Sequence, residues 1–252
     1  MGLGNWLLVD GLQFWLNSDS VHILTIDTKR KYMKNSTLLQ IKTLPELVQK
    51  NESNSCGAYC VAATLACFGL FPPKQSLRIN RFNIEANQFN GKALNIPFNI
   101  SLNNFADYVY QITGILDIDE PSQYVEKNGL NSLAAMFYAL EKYNLNVAVL
   151  FKDKSKFENL KKTYPNEIEL LCKNLKANIY INNSVSTISN CVTIYAISYN
   201  NGNTHYIACN SSGNWYDPAE GNYSTDFNSI EQFTEMYGGE WLGVSLVCNI
   251  KN

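Results

Sequence analysis

Residues 54–69 read Asn54-Ser55-Cys56-Gly57-Ala58-Tyr59-Cys60-Val61-Ala62-Ala63-Thr64-Leu65-Ala66-Cys67-Phe68-Gly69, a run that is apolar nearly all round between a polar lead-in and a glycine. A helix without a polar face belongs inside a domain, because water offers it nothing on any side. The pattern predicts a buried helix starting near Cys56, with Asn54 or Ser55 as N-cap and Gly69 as its stop. A thiol in the first turn of a helix lies beside free backbone N–H groups and the positive end of the dipole, which favour a thiolate and can hold an oxyanion. Cys56 is predicted to occupy that place, and Gly57 after it leaves room for a substrate to approach. Cys60 and Cys67 fall inside the helix, and Cys209 and Cys248 inside strand-like runs, where a thiol is a small buried hydrophobe.

Outward from this helix the chain reads as α+β. Val21–Ile26 is rich in β-branched residues and predicts a strand. Residues 71–100 carry Pro72, Pro73, Pro97 and several Asn, and are expected to form a long surface excursion. Leu133, Met136, Phe137 and Leu140 recur at helical spacing and predict a helix from about Asn131 to Tyr143. Val147–Phe151 reads as a short buried strand, and Lys154–Lys176 as a polar helical stretch broken near Pro165. The C-terminal part changes character: Val192–Ile197, His205–Cys209, Asn214–Tyr216 and Val244–Val247 are strand-like and separated by Asn/Gly turns. Helices first and an antiparallel sheet last is an α+β layout. No repeat, low-complexity tract or linker divides the chain. We therefore expect one unit, in which residues 1–48 are an N-terminal extension packed on the same domain as 49–252.

Thiol catalysis needs a base to make and hold the thiolate, and a group that orients the base. The sequence offers two histidines, His22 and His205. His22 lies inside an apolar strand pattern, whereas His205 follows the turn Asn200–Asn203 and opens a strand, where its ring can face a helix terminus. His205 is the chosen base. Asp217 follows twelve residues later, after the turn Ser211–Asn214, which returns the chain antiparallel beside the His205 strand. A carboxylate there fixes the imidazole tautomer and stabilises its charged form.

The run Ser55-Cys56-Gly57-Ala58-Tyr59-Cys60-Val61-Ala62 resembles the nucleophile motif of the papain-like peptidases that remove double-glycine leaders from bacteriocins. His205-Tyr206-Ile207-Ala208 and Asp217-Pro218-Ala219-Glu220-Gly221 resemble that family's His and Asp motifs, in the same Cys, His, Asp order. The resemblance implies a papain-like fold over roughly residues 49–250 and a triad of Cys56, His205 and Asp217. Related bacterial effectors use similar folds and the same triad, and a chain with neither membrane spans nor a phosphate-binding loop fits that group better than a transporter-linked leader peptidase. Papain-like enzymes place an oxyanion-hole Gln six residues before the nucleophile, and here that position is Lys50, flanked by Gln49 and Asn51. One of these two is the expected side-chain donor, Gln49 ranking first for its longer reach and residue type.

Composition excludes several other classes. With 46% hydrophobic and 17% charged residues among 252, the chain is too apolar for disorder. No stretch approaches the roughly 18 apolar residues of a membrane span. A formal charge of −2 lacks the basic excess that phosphate neutralisation requires, which argues against nucleic acid as a partner. The odd, scattered set of seven cysteines reads as reduced thiols. Residues 1–16 lack a basic start and a cleavage site and hold Asp10, so no classical secretory signal is expected, and the protein is placed in the cytoplasm or delivered to a host cell by a signal-independent route. The expected substrate is a protein or peptide, with no cofactor and no metal. Cleavage of a backbone amide is the preferred activity. The alternatives are a glutamine deamidase or transglutaminase-type effector with the same triad, or an inactive papain-like binding module.

Overall fold

The computed structural model describes residues 41–251 apart from positions 52, 121, 183–189, 201 and 222, together with three earlier strands, β1 (Asn5–Val9), β2 (Leu12–Asn17) and β3 (Ser20–Leu24). The chain divides into two compact units, Met1–Leu38 and Leu39–Asn252. In the first, β1, β2 and β3 pair in order as an antiparallel sheet. Within the predicted strand 21–26, β3 covers residues 21–24, and the last two lie outside the described residues.

The second unit is built around helix α1 (Cys56–Cys67), in which every residue except Ala66 is buried. Its glycine stop works as expected: Gly69 takes φ +68°, and Leu70 N–H closes on the Leu65 carbonyl at 2.8 Å. A two-stranded ribbon follows, β4 (Leu77–Asn80) paired with β5 (Ala93–Ile96), then α2 (Leu102–Thr113) and a second short pair, β6 (Gly114–Leu116) with β7 (Leu130–Asn131). Next come α3 (Leu133–Lys142), β8 (Leu145–Phe151), α4 (Lys154–Thr163), α5 (Pro165–Glu169), a π-helical turn over Leu170–Asn174, and β9 (Asn178–Ile181). The chain ends with β10 (Val192–Tyr199), β11 (Thr204–Asn210), β12 (Trp215–Tyr216), β13 (Tyr223–Ser224), α6 (Ile230–Met236) and β14 (Gly239–Ile250).

Seven strands form one sheet in the order β13-β12-β11-β10-β14-β8-β9. Pairing is antiparallel throughout except at its edge, where β9 joins β8 in parallel after the crossover through α4 and α5. The layout is mixed α and β, with helices also interleaved among the strands instead of all preceding them. Strand alternation divides the sheet's two faces. Val192, Ile194, Ala196, Val244 and Leu246 join the large core formed with α1, α2 and α3, whereas Tyr195, Ile197, Trp215 and Trp241 join a smaller aromatic cluster with Ile230 and Phe233 of α6. The stretch 71–100 is not wholly a surface excursion, because Ile79, Phe82 and Ile96 are buried in the main core.

Residues 44–49 are tied to the segment after β12. Leu44 and Leu47 are buried in the core. The Tyr216 hydroxyl donates to the Leu47 carbonyl at 2.6 Å, and Gln49 N–H donates to the Pro218 carbonyl at 2.9 Å. Gly221 completes this strap: it has φ +69°, and a Cβ there would lie 2.1 Å from Val48 Cγ2. Gly221→Ala combines left-handed strain with overpacking and should lower unfolding free energy by about 2–4 kcal/mol in urea denaturation of the full chain. An unchanged denaturation midpoint would show that the strap yields freely.

Candidate active site

The register of the sheet brings His205 and Asp217 together. Ala208 pairs with Tyr216 across β11 and β12, so the chain leaving β12 passes beside the start of β11. His205 Nε2 bonds to Asp217 Oδ1 at 2.7 Å, both residues being only 7% exposed. The same Asp217 oxygen accepts the Ala219 N–H at 2.8 Å, and Gly221 N–H closes on the Asp217 carbonyl at 2.8 Å. The Asp-Pro-Ala-x-Gly run is therefore a tight turn that aims one carboxylate at one imidazole.

With Nε2 taken by Asp217, the ring nitrogen left for the Cys56 sulfur is Nδ1. Burial alone would hold the ring neutral. Negative charge on Cys56 and hydrogen bonds to Asp217 and Cys56 outweigh burial, and the His205 pKa is pushed up from its usual 6.5 to about 10. Burial pushes up the thiols of Cys60, Cys67, Cys172, Cys191, Cys209 and Cys248, which disfavours thiolate at each. Cys60 is further occupied, donating to the Tyr206 carbonyl at 3.4 Å. His22, the other histidine, lies in β3 of the first unit.

Cys56 opens α1, and the helix start differs from the expectation in one respect. Ser55 stands at the N-cap position, but its side chain caps nothing and instead shares a 2.7 Å hydrogen bond with the Ser53 hydroxyl. By contrast, Ser101, Ser132, Asp153 and Ser229 cap α2, α3, α4 and α6 through their side chains. The first-turn amides beside Cys56 have no side-chain cap. The space over Gly57 is also filled differently: a Cβ there would meet Met136 Sδ at 2.6 Å and Asn131 Cβ at 2.8 Å, so the glycine admits these buried neighbours and not a substrate.

A cavity of about 710 Å³ runs past Cys56 and His205, with Gln49, Asn54 and Asn131 also on its wall. The rest of its wall is mixed, aliphatic at residues such as Leu130, Leu133 and Leu242 and polar or aromatic at Glu167, Tyr199 and Tyr206. Of the two residues flanking Lys50, Gln49 lines this cavity and its Oε1 is buried without a hydrogen-bond partner. Asn51 is exposed and is not part of the cavity wall. Lys50 turns outward to Asp107 of α2 at 2.7 Å. The sequence reading uses Asn131 only as the approximate start of a helix, yet it lies against both Cys56 and Gly57.

The family model for invasion plasmid antigen J, a cysteine protease, matches residues 48–251. The chain belongs to that cysteine protease family. No curated protein and no solved structure matches it. Of the resemblances carried by the motifs, the match falls on bacterial effector thiol proteases, and it begins at Val48, within the strap that precedes Cys56. Among the described residues, no helix is long and apolar enough to cross a membrane.

The His205 environment carries a pH prediction. A pKa raised on folding contributes stability that is complete below about pH 6.5 and is lost as pH rises through about 10. In Cys56→Ala the sulfur's charge and hydrogen bond are gone, so that loss should occur at lower pH. The chain has two histidines, which makes the ring resonances tractable by NMR. His205 should titrate far above the usual range in wild type and at lower pH in Cys56→Ala. A titration unmoved by that substitution would mean that no charge passes between the two residues.

Proposed function

We propose that this chain is a thiol protease with a papain-like catalytic arrangement, a nucleophile helix set against a sheet that supplies the base. The observation that carries this reading is the buried chain of contacts from Cys56 through His205 to Asp217, with the 2.7 Å Nε2···Oδ1 bond at its end. The Cys56 thiolate adds to the carbonyl carbon of the scissile amide, and the carbonyl oxygen becomes an oxyanion. The Cys56 N–H, left without a cap, is one donor to it. The Gln49 side-chain amide, on the same cavity wall, is the other.

Collapse of the tetrahedral adduct breaks the C–N bond, and the His205 imidazolium gives its proton to the departing amine. A thioester to Cys56 remains. His205, now neutral, takes a proton from water, whose oxygen attacks the thioester carbonyl. The acid product leaves and the thiolate–imidazolium pair is restored. Asp217 holds the ring in one tautomer through both steps and offsets its charge. The mixed wall, with leucines beside tyrosines and Glu167, suits a protein or peptide substrate that offers it both apolar and polar groups.

Incubation with a proteome-derived peptide library, read by mass spectrometry, tests this. New termini that disappear in Cys56→Ala support proteolysis. A gain of about one dalton at Gln with the backbone intact would move the reaction to side-chain deamidation, and no product of either kind would leave a binding module. On a peptide that wild type cleaves, Gln49→Ala should lower kcat about 10²–10³-fold. An unchanged kcat in Gln49→Ala would remove Gln49 from the oxyanion site.

A further inference from the structure

Asn131 stands where three parts of the site meet. It ends β7, paired with Gly114 of β6, and is 4% exposed. The residue after it is anchored twice: the Ser132 hydroxyl caps α3 through Ala135 N–H at 3.0 Å and donates to Glu167 Oε1 at 2.7 Å. The Asn131 side chain is held equally firmly. Its Oδ1 accepts from the Thr113 hydroxyl at 2.7 Å, and its Nδ2 donates to the Asn54 carbonyl. A carbonyl oxygen can only accept, so the amide end facing Asn54 must be the NH₂. That leaves the second amide hydrogen, and Nδ2 lies 4.0 Å from Cys56 Sγ.

We propose that Asn131 is a positioning residue for the nucleophile: one amide hydrogen clamps the backbone at Asn54, two residues before Cys56, and the other is donated to the Cys56 sulfur in its thiolate form. The inference deepens the protease reading and rests on it. A long N–H···S contact to a neutral thiol strengthens and shortens when the sulfur carries a full negative charge, as charge-assisted hydrogen bonds do. The Cys-Gly pair then has a second meaning, because only a glycine after the nucleophile lets Asn131 come this close.

The titratable groups that interact with Cys56 are Cys60 on its own helix, Tyr110 of α2, Tyr199 of β10, His205 and Tyr206 of β11, and Tyr216 of β12. Burial raises Cys60 and all four tyrosines, so near neutral pH they are uncharged. His205 and its partner Asp217 are then the charges that set the pH profile of the sulfur, and a displacement caused by substitution at Asn131 can be assigned to the lost amide.

The experiment is the pH profile of Cys56 alkylation by iodoacetamide in the full chain, read by peptide mapping beside the thermal midpoint. Asn131→Leu removes both amide hydrogens at similar volume and should move the profile midpoint up by about one pH unit. Asn131→Asp also sets a carboxylate beside the sulfur and should move it further in the same direction. Thr113→Val keeps the donor but frees the amide to turn, and should give a smaller upward shift. It remains decisive if either Asn131 variant does not fold. Lower thermal midpoints with all profiles superimposed on wild type would overturn the proposal, since a purely structural residue gives that result. His205→Ala separates the two levels of the argument. If it displaces the profile while the Asn131 and Thr113 variants do not, the inference about Asn131 fails and the protease reading stands. If it leaves the profile unmoved, both fail.

Discussion

The bond between His205 Nε2 and Asp217 Oδ1 is the constraint on which the site depends. An imidazole this deeply buried has lost nearly all of its water, and its charged form survives only beside a fixed carboxylate. The carboxylate in turn is fixed by a turn closed through Ala219 and Gly221, and by the short pairing of β12 on β11. Breaking one side of a buried pair of this kind strands the other and costs about 3–5 kcal/mol. The two side chains are therefore as much a folding unit as a chemical one, and the sheet register that brings them together has little freedom to slip.

The Cys56 side is arranged by a different logic. α1 is held by burial on every face, so its first turn can go without the side-chain cap found on α2, α3, α4 and α6. An uncapped helix start costs about 1 kcal/mol relative to a Ser or Asp cap, a small sum against the burial of eleven of its twelve residues. What it leaves is a set of amides beside Cys56 that can meet an oxyanion. The strap at Leu47–Gln49 bridges the two halves, since it hangs from the Asp217 turn by Pro218 and Gly221 while presenting Gln49 to the cavity. One stretch of chain thus joins the Asp217 turn to the loop in front of Cys56.

Much of this layout is written locally and could be read. The all-apolar helix, its glycine stop, the strand-like runs near His205 and the turn before Asp217 are short-range patterns, and the structure places each where its pattern lies. Elements with weaker local signals were harder to see. α2 carries Phe105, Ala106, Val109 and Ile112 at helical spacing behind a Ser101 cap, but Asn103 and Asn104 give its first turn a loop-like composition. β4 and β5 are four residues each, among prolines and asparagines, and their burial comes from neighbours distant in sequence. Gly57 invites a substrate-access reading because its tight neighbours, Asn131 and Met136, lie more than seventy residues away. Asn131 itself has no local signal at all. Its meaning comes from Thr113, Asn54 and Cys56, which only the folded chain brings together.

The central claim is that one sulfur among seven is made nucleophilic by one imidazole. Brief exposure of the full chain to substoichiometric iodoacetamide at neutral pH, followed by peptide mapping of all seven cysteines, tests it most directly. The account predicts that Cys56 takes up most of the label despite its burial, that the exposed Cys172 trails it, and that His205→Ala abolishes the preference. Labelling that follows exposure, with Cys172 first and Cys56 among the slow buried thiols, would contradict it.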